Sequence, residues 1–289
     1  MKTTPKMLKT DSFRCSDLLA ALLLVVLAVL PLKVQGQRVI WNLPQYQETV
    51  RTGTVALGSS FARDTYLSAS RYDGPSLGFV TDSWIGYRPY RLFKYGRNHS
   101  SFLVSPMTNR LDGGSTIQVA CSDYFAWLHP LVSCSQCDLL AGPVAMVEMG
   151  MLFNLQNTNN PFNLEGYVAA GFCLDNTFRF SLFSHEFGLQ ATTYLPLAGV
   201  GFAPDYDQPY WYMLKYAEFD KALHFIWPYN NQAIAQQVAL ILPMRSNRLS
   251  IGYCFDYMGN RLGGHSRSIA NGVFTIGYSV RFQSKVWGI

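Results

Sequence analysis

The sequence has few charged residues and, past residue 36, no long apolar run. Only 14% of its 289 residues are charged, against about a quarter in an ordinary soluble domain. No apolar stretch after residue 36 is long enough for a membrane helix, and no helical periodicity of any length is present. Any membrane residence must therefore be through strands, because a closed barrel also satisfies every backbone polar group in lipid.

Cysteine and basic patches are also scarce, which argues against several kinds of function. Five cysteines follow residue 36, an odd number at irregular spacing that does not suit a disulfide framework. Cys134 and Cys137 form a CxxC pair without a redox setting or a second pair for zinc, so we expect a hairpin-tip disulfide or two free thiols. The histidines do not cluster, and we expect no metal and no cofactor. No basic patch with interleaved aromatics suggests nucleic acid as a partner.

The N-terminus has the three parts of a secretory signal peptide. Four basic residues precede an apolar stretch over 18–32, and a small-residue cleavage site ends at Gly36. The alternative, an anchor helix, is too short and is broken by Pro31 and Lys33. We expect residues 1–36 to be removed, leaving an extension over 37–47. The removed segment holds five cations and two acids, so three of the five formal charges leave with it and about +2 remains.

The clearest pattern lies in the last strand. Residues 267–282 read RSIANGVFTIGYSVRF, where apolar and aromatic residues alternate with polar ones. Period-two alternation predicts one apolar and one polar wall. An ordinary strand has about five or six residues, so this length favours a transmembrane barrel, whose strands span lipid with about ten residues plus rims.

The same strand carries a second signal. Its polar-x-Gly-x-x-apolar-x-aromatic pattern resembles the C-terminal insertion signal of bacterial outer-membrane barrels; the matching residues are Thr275, Gly277, Val280 and Phe282. The resemblance implies two partners, the barrel-assembly machinery during biogenesis and the lipid of the outer membrane. One departure is the tail over 283–289, because the signal usually ends the chain.

Alternation recurs through most of the chain and predicts an all-β fold, a single antiparallel transmembrane β-barrel of about 10–12 strands over 48–282. Ten segments show it, and a further pair over 48–58 and 64–72 would make twelve. The ten are 75–89, 92–106, 115–130, 139–155, 164–182, 186–203, 221–229, 233–244, 248–259 and 267–282.

An even strand number keeps both termini on the periplasmic side. The same count puts the aromatic-rich connection over 205–220 on that side, and its composition indicates a short helix. A secreted β-sandwich is the rival architecture. It is disfavoured because the strands are long and their apolar face carries no charge.

The polar wall carries acids and bases together. In a small barrel we expect them to pair across the lumen, because an unpaired buried charge is costly. The members of this candidate network are Glu148, Glu165, Asp175, Arg179, Glu186, Asp256, Arg267 and Arg281. Tryptophans near predicted strand ends fit aromatic girdles at the two membrane interfaces: Trp84, Trp127, Trp211, Trp227 and Trp287.

No catalytic residue is assigned from the sequence. His99 and Ser101 are two residues apart, the spacing that places the histidine and serine of a barrel lipid hydrolase on one wall, but their segment is poorly patterned. A barrel of ten or twelve strands has little room once its inward side chains are in place. We therefore expect a small non-enzymatic barrel with a structural, adhesive or narrow-pore role. The alternatives are the lipid hydrolase and a secreted β-sandwich that binds a ligand.

Three further motifs, taken together with the strand over 267–282, carry a resemblance to a family. They are DTYLS over 64–68, YDG over 72–74 and LAGVGFAPDY over 197–206. Together they resemble an uncharacterised family of outer-membrane barrels from gut-type Gram-negative bacteria, known as a domain of unknown function. The resemblance spans 48–282 and implies the fold and the location, with no activity. Ala69 departs from it, because the family tends to have a proline there.

Overall fold

The computed structural model describes residues 43–283, except for 46–47, 88–91, 110, 112, 155, 157–160, 183–184, 206–209, 217–218 and 245–246. The predicted signal peptide, most of the extension over 37–47 and the tail after residue 283 lie outside the described residues. In the described part of the chain, no helix has the length and apolarity needed to cross a membrane.

Ten long strands close into one antiparallel barrel. β1 pairs with β11 at the closing seam, and β6 pairs with both β5 and β7. The short β8 lies beside the end of β7 and is not part of the ring. The strands are β1 (Glu48–Asp64), β2 (Ser68–Gly86), β3 (Tyr95–Thr108), β4 (Ser115–Ser133), β5 (Cys137–Asn154), β6 (Phe162–Leu182), β7 (His185–Phe202), β8 (Leu223–Ile226), β9 (Asn231–Met244), β10 (Asn247–Leu262) and β11 (His265–Gln283).

The predicted all-β barrel of 10–12 strands is confirmed, with ten strands in the ring. The β-sandwich alternative is wrong, because one closed sheet has no second sheet to pack against. Two predicted segments, 64–72 and 75–89, are one strand: β1 pairs with β2 without a break from Ser59–Pro75 to Ala62–Tyr72, so the ladder keeps the Asp-Gly-Pro sequence extended. Of the predicted strand over 221–229, the structure has only the four residues of β8 as a strand.

The barrel has two distinct ends. Glu48 pairs with Gln283, so both ends of the described chain lie together, at what we name the terminal end. The opposite end, the far end, carries helix α1 (Tyr210–Tyr216) and a 3-10 turn (Asp220–Ala222). The predicted helix is therefore confirmed. Its predicted position on the side of the termini is wrong, because seven strands precede it instead of six.

The walls follow the predicted alternation. On β11, Phe274 is 69% exposed on the outside, whereas its neighbour Thr275 is 3% exposed and faces the interior. The outside keeps large apolar side chains through the middle of the strands; examples are Leu57, Phe79, Phe102, Met149, Val168, Ile251 and Ile276. On β7 a bulge leaves Leu197 without a partner, so the outward set changes from odd to even positions there.

The interior is packed with both apolar and polar side chains. One apolar cluster, with Leu103 and Val273 among its members, lies near the middle. A larger cluster extends toward both ends and includes Tyr124, Tyr194 and Leu128. Since these side chains meet across the ring, the interior is a core and not a wide channel.

Candidate functional site

Arg97 is the centre of a buried cluster inside the barrel. Its side chain points inward from β3 and is 1% exposed. The guanidinium pairs with Asp175 of β6 and lies 3.3 Å from Asp82 of β2, measured from Nη2 to Oδ1. Nη2 also donates to Gln237 Oε1 at 2.7 Å, and Nη1 to the hydroxyl of Thr192. We name these five residues the Arg97 cluster. Its two carboxylates offset the guanidinium in a place that water does not reach.

Aromatic rings surround this guanidinium. Arg97 Cζ lies 4.9 Å from the ring centre of Trp84 and 5.9 Å from that of Tyr194. Such a stacked cation is stabilised by the ring faces, the more so when it is desolvated. Trp84 is 8% exposed and points inward, so its predicted place in a membrane girdle is wrong. The alternation along β2 directs the Trp84 side chain inward, where its ring packs over the buried guanidinium of Arg97.

His99 extends the cluster toward the middle of the barrel. Its Nδ1 lies 3.0 Å from Asp82 Oδ1, and its ring stacks on Tyr124 with 5.7 Å between ring centres. Tyr194 lies 5.7 Å away on another side and 5.2 Å from Tyr124. Three rings therefore fill the cross-section beside the Arg97 cluster.

A second cluster lies near the far end. Arg267 Nη1 lies 3.2 Å from Glu165 Oε2, and His265 Nε2 lies 3.2 Å from Glu165 Oε1. Asn163 donates to Asp64 at 2.7 Å and to Glu165 at 3.0 Å. We name these five residues the Arg267 cluster. It links β1, β6 and β11 across the interior.

The guanidinium of Arg267 is incompletely satisfied. None of its nitrogens has a hydrogen bond among the described residues, and Glu165 is its one acidic partner within ion-pair distance there. Gly150 makes room for it, since a Cβ at that position would lie 3.0 Å from Nη2. A larger residue would have to displace the buried cation.

Helix α1 is anchored to this cluster. The hydroxyl of Tyr210 donates to Asn163 Oδ1 at 2.6 Å and accepts the backbone N–H of Leu164 at 2.6 Å. Burial raises the pKa of Tyr210 above its usual value, so the hydroxyl stays a donor at physiological pH. The ring of Tyr66 lies 6.5 Å from that of Tyr210, edge to face. The start of α1 is thus tied to the far end of the interior.

The structure distributes the predicted lumen network over several places. Glu165 and Arg267 meet each other, whereas Asp175 pairs with Arg97. The other members have local partners or none in the described residues. Arg179 pairs with Asp138, Arg281 lies 3.5 Å from Glu48, Glu148 accepts from Tyr124 and Tyr167, and Asp256 and Glu186 have no ion-pair partner among described residues.

The remaining candidates lie apart from these clusters. Cys134, in the β4–β5 turn at the terminal end, and Cys137, the first residue of β5, are free thiols, so the second of the two predicted states is present. No group of three metal-ligating side chains occurs among the described residues. Trp127 and Trp227 are exposed as a girdle requires; the side chain of Trp211, and Trp287, lie outside the described residues.

Sequence reasoning missed Arg97, the centre of the first cluster, and its partner Asp82. The signal was present in the phase of β2. Leu77 and Phe79 lie on the outward set, so Asp82 and Trp84 belong to the inward one. The phase of a strand does not indicate which strands face each other across the interior.

Comparison with known proteins adds a family and a fold likeness. A model of the family described as "Protein of unknown function (DUF3316)" matches residues 20–285. No curated protein matches the chain. Among solved structures, the crystal structure of the outer membrane protease OmpT from Escherichia coli matches with a TM-score of 0.46 and 8% identity, over 81% of this chain and 96% of that one.

Proposed function

We propose a structural or adhesive function in the outer membrane for this chain, which belongs to the DUF3316 family of proteins of unknown function. The barrel is closed to solutes by its own side chains and acts through its wall and its rims. The observation that carries the proposal is the inside-out wall. Large apolar side chains are exposed outside, whereas charged ones such as Arg97 and Asp175 are buried inside.

The outer wall fits lipid better than water. Four adjacent strands place Tyr253, Phe274, Leu57 and Leu77 in one row, each at least 40% exposed. Soluble monomers rarely expose contiguous apolar patches of more than a few hundred Å². A transmembrane barrel has such a band all around its middle. The wall therefore supports a membrane location.

The connections support an orientation. The described parts of the connection between β7 and β8, including α1, lie at the far end, whereas at the terminal end β4 and β5 are joined over 134–136 and Met244 of β9 pairs with Asn247 of β10. Outer-membrane barrels have short periplasmic turns and longer external loops. We infer that the terminal end is periplasmic, which places α1 outside the cell.

The closing strand supports a route of assembly. Val280 and Phe282 of the signal-like pattern are exposed on the outer wall, and Thr275 and Gly277 face the interior. β11 also forms the seam with β1. We propose that the barrel-assembly machinery reads this pattern.

Because side chains fill the interior, we expect the barrel not to conduct ions. Purified protein in a planar bilayer should show no conductance steps, because the Arg97 cluster and the rings of His99, Tyr124 and Tyr194 occupy the cross-section. Steps from the unaltered protein would contradict a closed lumen.

The hydrolase alternative has one observation in its favour, the contact between His99 and Asp82. However, the hydroxyl of Ser101 bonds to Ser122 at 2.7 Å, and no hydrogen bond joins it to His99 among the described residues. His99 is also 4% exposed, which leaves no room for a lipid ester. A nucleophile needs a base within hydrogen-bond reach.

We therefore expect no hydrolysis of a fluorogenic phospholipid ester in mixed micelles. The His99→Ala and Ser122→Ala variants should be equally inactive. An activity that His99→Ala and Ser101→Ala abolish while Ser122→Ala retains it would establish the hydrolase and end the non-enzymatic proposal.

A further inference from the structure

We propose that the outer wall carries a binding site for the phosphate-bearing headgroup of a membrane lipid, in the leaflet around the far end. The site is a groove of about 840 Å³ on strands β10, β11, β1 and β2. Three exposed arginines lie on its far-end side: Arg63, Arg71 and Arg261. This inference rests on the proposed membrane location.

Small residues at neighbouring positions form the groove. The register places Phe255, Gly272, Ser59 and Pro75 side by side, so two small residues separate larger neighbours. The next row toward the far end is Tyr257, Ala270, Phe61 and Asp73. Aromatic side chains thus border a depression that small residues line, with Arg71 and Asp73 on its far-end side and the hydroxyl of Tyr253 over Gly272.

The arginines lie where the apolar wall ends. Arg63 is directly opposite Arg71, next to Ser268 and Gly259, and Arg261 follows one row further on. Like charges directly opposite each other on adjacent strands are destabilising. None of the three has an acidic partner within ion-pair distance among the described residues. An anion that bridges them would remove this repulsion.

The geometry suits a phosphate attached to a lipid. The guanidinium of Arg71 lies over the ring of Phe61, with 4.5 Å between Cζ and the ring centre, which places it above the groove. Guanidinium groups bind phosphate oxygens in a bidentate manner. Asp73 also lines the groove, one row nearer the membrane centre. A phosphate at the arginines and a chain in the groove would therefore belong to one molecule.

Native mass spectrometry can count the bound lipid. Barrels are released from phosphatidylcholine nanodiscs that contain a minor fraction of phosphatidic acid as the probe. The unaltered protein should retain phosphatidic acid over phosphatidylcholine. The triple variant Arg63→Gln/Arg71→Gln/Arg261→Gln should lose affinity by about a hundredfold, at roughly fivefold for each arginine. Arg51→Gln is the matched control, because Arg51 also lies over an outer ring, that of Phe282 at 5.8 Å, at the terminal end.

A second variant distinguishes lipid binding in the groove from a general electrostatic attraction between the arginines and anionic lipid. Ser59→Trp fills the groove and leaves all three arginines in place, so it should also reduce retention. Equal retention by the unaltered protein and the triple variant would overturn the inference, as would full retention by Ser59→Trp. A dimer that Ser59→Trp disrupts in place of a bound lipid would overturn it too.

Heat-dependent gel mobility shows whether each variant folds as a barrel. It therefore distinguishes a failure of the proposed lipid site from a failure of the proposed membrane barrel. Barrels that fold and insert but show no preference for phosphatidic acid contradict the lipid site alone. A soluble protein that never enters the nanodisc contradicts the membrane barrel itself.

Discussion

Phe274→Arg should prevent most of the chain from assembling in the membrane. Phe274 is on the outer wall near the middle of β11 and is 69% exposed, so the new guanidinium would face the hydrocarbon. An arginine at the midplane of a barrel wall costs about 2–4 kcal/mol. The measurement is the fraction of heat-modifiable protein in the outer-membrane fraction, followed by urea unfolding in lipid.

The matched control for this substitution is Ser266→Arg. Ser266 is exposed on the same face of the same strand, but it lies at the far-end rim. An arginine there reaches water and headgroups, where the cost falls to about 0–1 kcal/mol. Equal losses for the two variants would mean that the outer wall does not face lipid.

Arg97→Met should cost about 3–5 kcal/mol of unfolding free energy, because it leaves two buried carboxylates without their cation. Asp82 and Asp175 are both buried and converge on Arg97. The triple variant Arg97→Met/Asp82→Asn/Asp175→Asn removes all three charges and should regain much of the loss. Urea unfolding in lipid, monitored by tryptophan fluorescence, measures both.

Arg51→Met controls for the loss of an arginine as such. Arg51 is exposed on the outer wall at the terminal end, so its removal leaves no buried charge without a partner. We expect a change within about 0.5 kcal/mol for a surface site of this kind. If the triple variant is as unstable as Arg97→Met, the carboxylates are not what the arginine offsets, and the account of the Arg97 cluster is wrong.

The walls of the barrel could be predicted from local pattern. Period-two alternation placed Phe274 outside and Thr275 inside, and the burial of both agrees. The same reasoning was wrong in dividing 64–72 from 75–89, which are one strand. Asp73-Gly74-Pro75 resembles a strand break, yet its neighbours on β1 hold it extended. A hydrogen-bonded partner strand can thus override a local turn preference.

The buried clusters could not be predicted in the same way. Sequence reasoning put acids and bases on the inward wall and expected them to pair, but their partners depend on which strands face each other. Arg97 meets residues 82, 175, 192 and 237, which lie on four different strands. The place of Trp84 near a strand end predicts a membrane girdle, although the phase of β2 directs this side chain inward.

By itself, the sequence determined the all-β class, the outward apolar and inward polar walls, and the strand that closes the ring. These follow from a two-residue period and need no knowledge of the neighbouring strands. The tertiary structure decided which charges meet, that aromatic rings fill the interior, and that Arg63, Arg71 and Arg261 lie together. Such groupings depend on register and closure, because a strand brings side chains together only across its neighbours and across the ring.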